Sequence, residues 1–203
     1  MIFTLHKPPP GTTLSASNHR TLRVVVGTAA IAAPVLHCIT DAMEWYLGGF
    51  TPPQLWLNYV AFLPMPWLLL GICAVCAEEL RASAIAGALL YGVAFTYFAH
   101  TTLFALHSQL PGYEALWRQL GSTYTAHGAA MVVGGLVFAW AAFRSAALPK
   151  VAVLLFGAGL LVNLGLAVVS APDILQTTGT AIRNAGLVGM GYALLVGNPV
   201  RAA

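Results

Sequence analysis

VVVGTAAIAAPVLHCITDAMEWY, residues 24–46, runs for 23 residues without a lysine or arginine, and its two carboxylates, Asp41 and Glu44, both fall near one end. At about 1.5 Å per residue such a helix measures roughly 34 Å, enough to cross the hydrocarbon core of a bilayer. Five more apolar runs follow, at residues 53–76, 83–106, 121–143, 151–170 and 174–196. They are too long for barrel strands, and lipid offers no partner for a free backbone amide, so each is expected to be a helix. Residues 21–198 therefore read as one all-α integral membrane domain, six transmembrane helices in a compact bundle. Many of the 20 glycines lie inside these runs and suit close helix packing. Pro64 and Pro66 should kink the second helix.

Composition agrees. Of 203 residues, 59% are hydrophobic and 7% charged, whereas a soluble domain carries about a quarter charged residues. Disordered, coiled-coil and disulfide-scaffold classes are excluded on this ground. A net charge of +3 supplies no basic surface for nucleic acid. Lys7, Arg20, Arg23, Arg81, Arg144, Lys150 and Arg201 fall on one side of a six-span topology, with Arg118 opposite and Arg183 inside a span. Positive charge marks the cytoplasmic side. Both termini are thus expected there, in a multi-pass protein of a plasma membrane of the bacterial inner-membrane type. Trp45, Tyr46, Trp56, Tyr59, Tyr113 and Trp117 gather at the other face.

The first 20 residues, with Pro8-Pro9-Pro10-Gly11, read as a flexible cytoplasmic tail. His37 before Cys38 does not suit a cleavage site, so the first span is expected to be uncleaved. The halves show no internal repeat, which argues against an inverted-repeat transporter. In residues 111–120, Tyr113, Leu116, Trp117 and Leu120 recur at helical spacing, with Glu114 and Arg118 one turn apart. This segment reads as a short interfacial helix between the third and fourth spans, either a lid or a linker anchored by Trp117.

Polar residues inside the spans point to function, because each is costly in lipid. Measured along its own helix, His37 lies about 3 Å outward of centre, Asp41 about 9 Å and Glu44 about 13 Å. Asn58 falls near 10 Å, His100 and His127 near 7 Å, and Asn163 and Arg183 at about 3–5 Å, with Asn184 beside Arg183. All six helices thus place a polar group in the outer half. His37, Asp41 and Glu44 share one helical face, as do Tyr97, His100, Phe104 and His107, and Tyr124, His127 and Met131.

The favoured reading is a membrane enzyme that isomerises or cyclises a terpenoid, sterol-like molecule or lipid by acid–base chemistry. Asp41, Glu44, His37, His100 and His127 are the candidate catalytic residues. Arg183, Asn58, Asn163, Asn184, Trp45, Tyr97, Phe104 and Tyr124 are the candidate substrate-binding residues. No cofactor is favoured. In the alternative, His37, His100, His127 and Asp41 bind zinc, iron or copper, or His100 and His127 bracket a haem, in a lipid hydrolase or redox protein. A non-enzymatic carrier or accessory subunit is the remaining class, and homo-oligomerisation stays open. Cys73 and Cys76 form a C-x-x-C at the cytoplasmic end of a helix, outside any redox-motif context.

The His37-x-x-x-Asp41 turn followed by Glu44 resembles the His/Glu acid–base helix of emopamil-binding-type sterol isomerases. It is similar also to the carboxylate pair of small membrane-bound terpene cyclases. Those families differ in helix number and carry acids on a later helix, which here has only Asp173 and Arg183. Three histidines and an aspartate resemble the zinc amidohydrolases that include alkaline ceramidases, whose seven helices and late paired-histidine motif are absent here. Each likeness covers a few residues.

Overall fold

Proline has no amide hydrogen to donate and clashes with the preceding turn, so Pro64 and Pro66 cannot both sit inside one straight helix. In the computed structural model, which describes residues 16–145, 147–168 and 173–197, the second apolar run is accordingly two helices. These are α2 (Pro52–Phe62) and α3 (Met65–Val75), with Pro64 as the N-cap of α3. The other helices are α1 (Ala16–Leu47), α4 (Ala82–His107), α5 (Tyr113–Arg144), α6 (Lys150–Val168) and α7 (Asp173–Val196). With α2 and α3 counted as one broken span, six rods result, matching the six apolar runs. Among the described residues, four are long and apolar enough to cross a membrane: α1, the α2–α3 rod, α4 and α5. Helix α1 begins at Ala16, so residues 16–20, expected in the tail, are helical. The rest of that tail, and residues 169–170 of the fifth run, lie outside the described residues.

The rods close into a ring. Helix α1 packs on α2 and α3, these on α4, α4 on α5, α5 on α6, α6 on α7, and α7 back on α1. Arg23 near the start of α1 and Gly197 just past α7 lie side by side, so the described chain starts and finishes at one end of the ring. His19 at the same end reaches the Val75 carbonyl that closes α3, at 3.2 Å.

The ring has an inverted polarity. Large apolar side chains such as Trp67, Val133, Trp140, Val151 and Leu161 face outward. Arg183, Asn184, His37, Thr40, Gln54 and Asn58 are buried. Below this polar layer the core is apolar and aromatic, built on Tyr91, Phe95, Phe138, Phe156, Leu160 and Leu187.

At the other end, α5 is interrupted at Gly121, whose φ of 53° and ψ of −132° only glycine adopts without strain. The break separates a short helical segment, residues 113–120, from the long rod. Leu116 plugs that segment into a small apolar cluster with Leu55, Ala105 and Leu110. Trp117 faces out and donates to Thr125 at 3.1 Å. Glu114 and Arg118 form an exposed ion pair, which adds little stability. The Phe50 amide donates to the Pro111 carbonyl at 2.9 Å, tying the α1–α2 loop to the α4–α5 connection.

Candidate functional site

A guanidinium is a donor only, so in a dry interior it must find acceptors for its N–H groups. Arg183, 2% exposed, sits where five of the six rods meet. Its Nη2 donates to His37 Nδ1 on α1 at 3.2 Å. Its Nε and Nη2 each donate to Asn184 Oδ1 at 3.4 Å. Its Nη1 reaches the Met131 sulfur on α5 at 3.4 Å, and the Phe95 ring on α4 lies 5.5 Å from its carbon centre. All these partners are uncharged. Gly159 on α6 lets the Arg183 backbone come so close that a methyl group there would overlap it.

The bond to Arg183 assigns the His37 tautomer. Nδ1 accepts from Arg183, and the Asn184 amide also points at it from 3.4 Å. The ring proton is therefore on Nε2, which lies 3.4 Å from Asp41 Oδ1. The imidazole thus stands between the Arg183 guanidinium and the Asp41 carboxyl group, and the three residues form a relay. Phe62 packs edge-on against the imidazole, with ring centres 4.7 Å apart. Asn184 also donates to the Pro34 carbonyl at 3.2 Å, inside α1.

Toward the Gly121 end the relay meets a second polar chain. Thr40 donates to the His37 carbonyl at 2.8 Å and lies 3.2 Å from Asn58 Oδ1. Gln54 donates to the Thr40 carbonyl at 3.4 Å. The Tyr113 hydroxyl lies near Asn58, which brings residues 113–120 toward the site. Tyr113 and Tyr124 both lie within electrostatic reach of Asp41 and Glu44. Two carboxyl groups, two phenols and an amide thus lie toward the same end of the relay.

Not every candidate joins. His100 is exposed, in a groove with Tyr59, Phe62, Trp67 and Thr96 on the outer side of the ring. His127 stacks on Tyr97 with ring centres 3.7 Å apart, and its Nδ1 pairs with the Thr123 carbonyl at 2.8 Å. Asn163 donates to Thr180 at 3.2 Å, fastening α6 to α7. Trp45 faces outward, and Phe104 packs beside the Leu55–Leu116 cluster. The alternative ligand set of His37, His100, His127 and Asp41 is therefore not assembled. His100 and His127 have different surroundings and do not bracket a common space. Among the described residues no three His, Cys, Asp or Glu side chains are grouped to hold a metal ion.

Thr40, Gln54, Phe62, Phe95, Tyr113 and Met131 belong to the site without having been among the candidates. Thr40 and Gln54 had a signal: Thr40 is one turn from His37, and Gln54 is one turn before Asn58. Comparison with known protein families, curated proteins and solved structures finds no match to this chain.

Proposed function

We propose that this protein is a multi-pass membrane enzyme that isomerises or cyclises an apolar small molecule, terpenoid, sterol-like or lipid, by acid–base chemistry. The observation that carries the reading is the buried Arg183–His37–Asp41 relay ending among Glu44, Tyr113, Tyr124 and Asn58. An arginine buried only for packing would cost more than an apolar residue. Here it holds an imidazole in one tautomer and so orients one oxygen of Asp41. Asp41 takes a proton from a substrate carbon, and Glu44 or a tyrosine hydroxyl returns one at another carbon. One C–H bond breaks and one forms, so the product is an isomer.

Both termini face the cytoplasm of a bacterial-type plasma membrane, and residues 113–120 lie in the opposite interface as a lid over the site. Support comes from the clustering of Arg20, Arg23, Arg81, Arg144 and Lys150 toward the ends of the rods where the described chain begins and finishes. An impermeant thiol reagent outside sealed cells should then label Ser108→Cys and spare Glu78→Cys.

The activity is tested by incubating the reconstituted protein in D2O with an apolar extract of membranes. Mass spectrometry then reads deuterium bound to carbon. Wild type should introduce it into one class of compound, and Asp41→Asn should not. Equal labelling by both, or none by either, would overturn the reading.

A further inference from the structure

We infer that the groove between the α2–α3 break and α4 binds the hydroxyl end of a neutral long-chain alcohol from the bilayer. The groove shares the Phe62 ring with the relay but does not rest on the relay's chemistry. Tyr59, Phe62, Leu63, Pro66, Trp67, Thr96, Ala99, His100 and Leu103 line the groove, and Trp67 is 69% exposed on the side where apolar residues face outward.

Three observations identify the occupant. First, His100 is exposed on α4, seven residues before the helix ends at His107, about 10 Å from that end. Among the described residues it has no hydrogen-bond, ion-pair or ring partner. An imidazole at that depth needs a partner that lipid chains do not provide. Second, the lining contains no Lys, Arg, Asp or Glu. A phosphate or ammonium headgroup would meet no counter-charge there, whereas a hydroxyl both donates and accepts, as neutral imidazole does. Third, the groove crosses the helix break, where Pro64 and Pro66 deprive the Val60 and Phe62 carbonyls of their usual N–H donors four residues on. Such a break is tolerated at membrane depth where other groups satisfy the freed carbonyls. Apart from the Tyr59 and Thr96 hydroxyls, the remaining walls are apolar and suit an alkyl or isoprenoid chain.

Trp67 reports on the groove directly. With Trp45, Trp56, Trp117 and Trp140 replaced by Phe, Trp67 is the single emitter. A dibrominated stearyl alcohol should quench it saturably, at about tenfold lower concentration than the methyl ether of the same chain, a difference of about 1.4 kcal/mol. His100→Phe should bring the two curves together. His100→Gln, which keeps a donor and an acceptor, should hold them apart, and so should Asp41→Asn, which removes the proposed activity only. Equal quenching by alcohol and ether in the parent, or a preference that survives His100→Phe, would overturn the site. Displacement of the alcohol by phosphatidylglycerol at equal concentration would overturn it too.

Discussion

Arg183 on α7 donates to Nδ1 of His37 on α1 at 3.2 Å, and that bond turns the protonated Nε2 of the imidazole toward Asp41. Nitrogen NMR of protein labelled only at histidine checks it, with His37→Phe assigning the signal. The expected spectrum has Nδ1 as the bare, acceptor-type nitrogen and Nε2 as the N–H. Arg183→Met removes the donor and should allow the other tautomer to appear. A protonated Nδ1 in the parent would show that the relay runs otherwise.

Breaking the relay at one point should cost more than removing it whole. His37→Phe keeps the ring against Phe62 but leaves Nη2 of a buried guanidinium with only a 3.4 Å contact to Asn184. Loss of about 2–4 kcal/mol is expected. His37→Phe combined with Arg183→Met replaces the pair by apolar groups and should recover part of that loss. Reversible unfolding in mixed micelles measures both. A double variant less stable than His37→Phe alone would mean that the arginine stabilises the bundle in its own right.

Gly159 and Gly165 lie six residues apart on α6 and should answer oppositely to alanine. At Gly159 the added methyl overlaps the Arg183 backbone, so α7 must move away. A loss of about 1–3 kcal/mol is expected, as for overpacking elsewhere. At Gly165 none of the described residues lies within 4 Å, and alanine should be neutral or slightly stabilising through helix propensity. Thermal midpoints in detergent read the difference. Equal midpoints would place the α6–α7 contact elsewhere.

Gly121 joins residues 113–120 to the rest of α5 through a positive φ. Gly121→Ala should cost about 1–3 kcal/mol of local strain and pull the Tyr113 hydroxyl from Asn58. Gly128→Ala, further along the same helix with open space around it, is the control. Hydrogen exchange should rise in residues 113–120 of Gly121→Ala alone.

The six rods were legible because lipid imposes one rule on every run: about 20 apolar residues, all helical. The break at Pro64 and Pro66 followed from the missing amide hydrogens. The centre was half legible. Spacing put His37 and Asp41 on one face, and depth put Arg183 and Asn184 beside them. Depth says nothing of azimuth, however. His100 and His127 share a level with the relay but turn to the outer groove and to Tyr97, so three histidines at one level did not mean three histidines at one point. Tyr113 was hidden for another reason. Its contact with Asn58 depends on a single glycine folding residues 113–120 back over the bundle, and nothing in the local pattern states that angle.

The most direct test of a catalytic relay sets carbon-bound deuterium uptake beside thermal midpoint for Asp41→Asn, His37→Phe, Arg183→Met, His100→Ala and His127→Ala. With a catalytic relay, Asp41→Asn abolishes uptake at least 100-fold, on the order of a lost general base, while its midpoint stays within a few degrees of wild type. His37→Phe and Arg183→Met should lose activity too, and His127→Ala should keep most of it, since its ring stacks outside the relay. Uptake that persists in Asp41→Asn, or that falls in all five only as folded protein is lost, would contradict a catalytic relay and leave a polar clamp that holds the ring together.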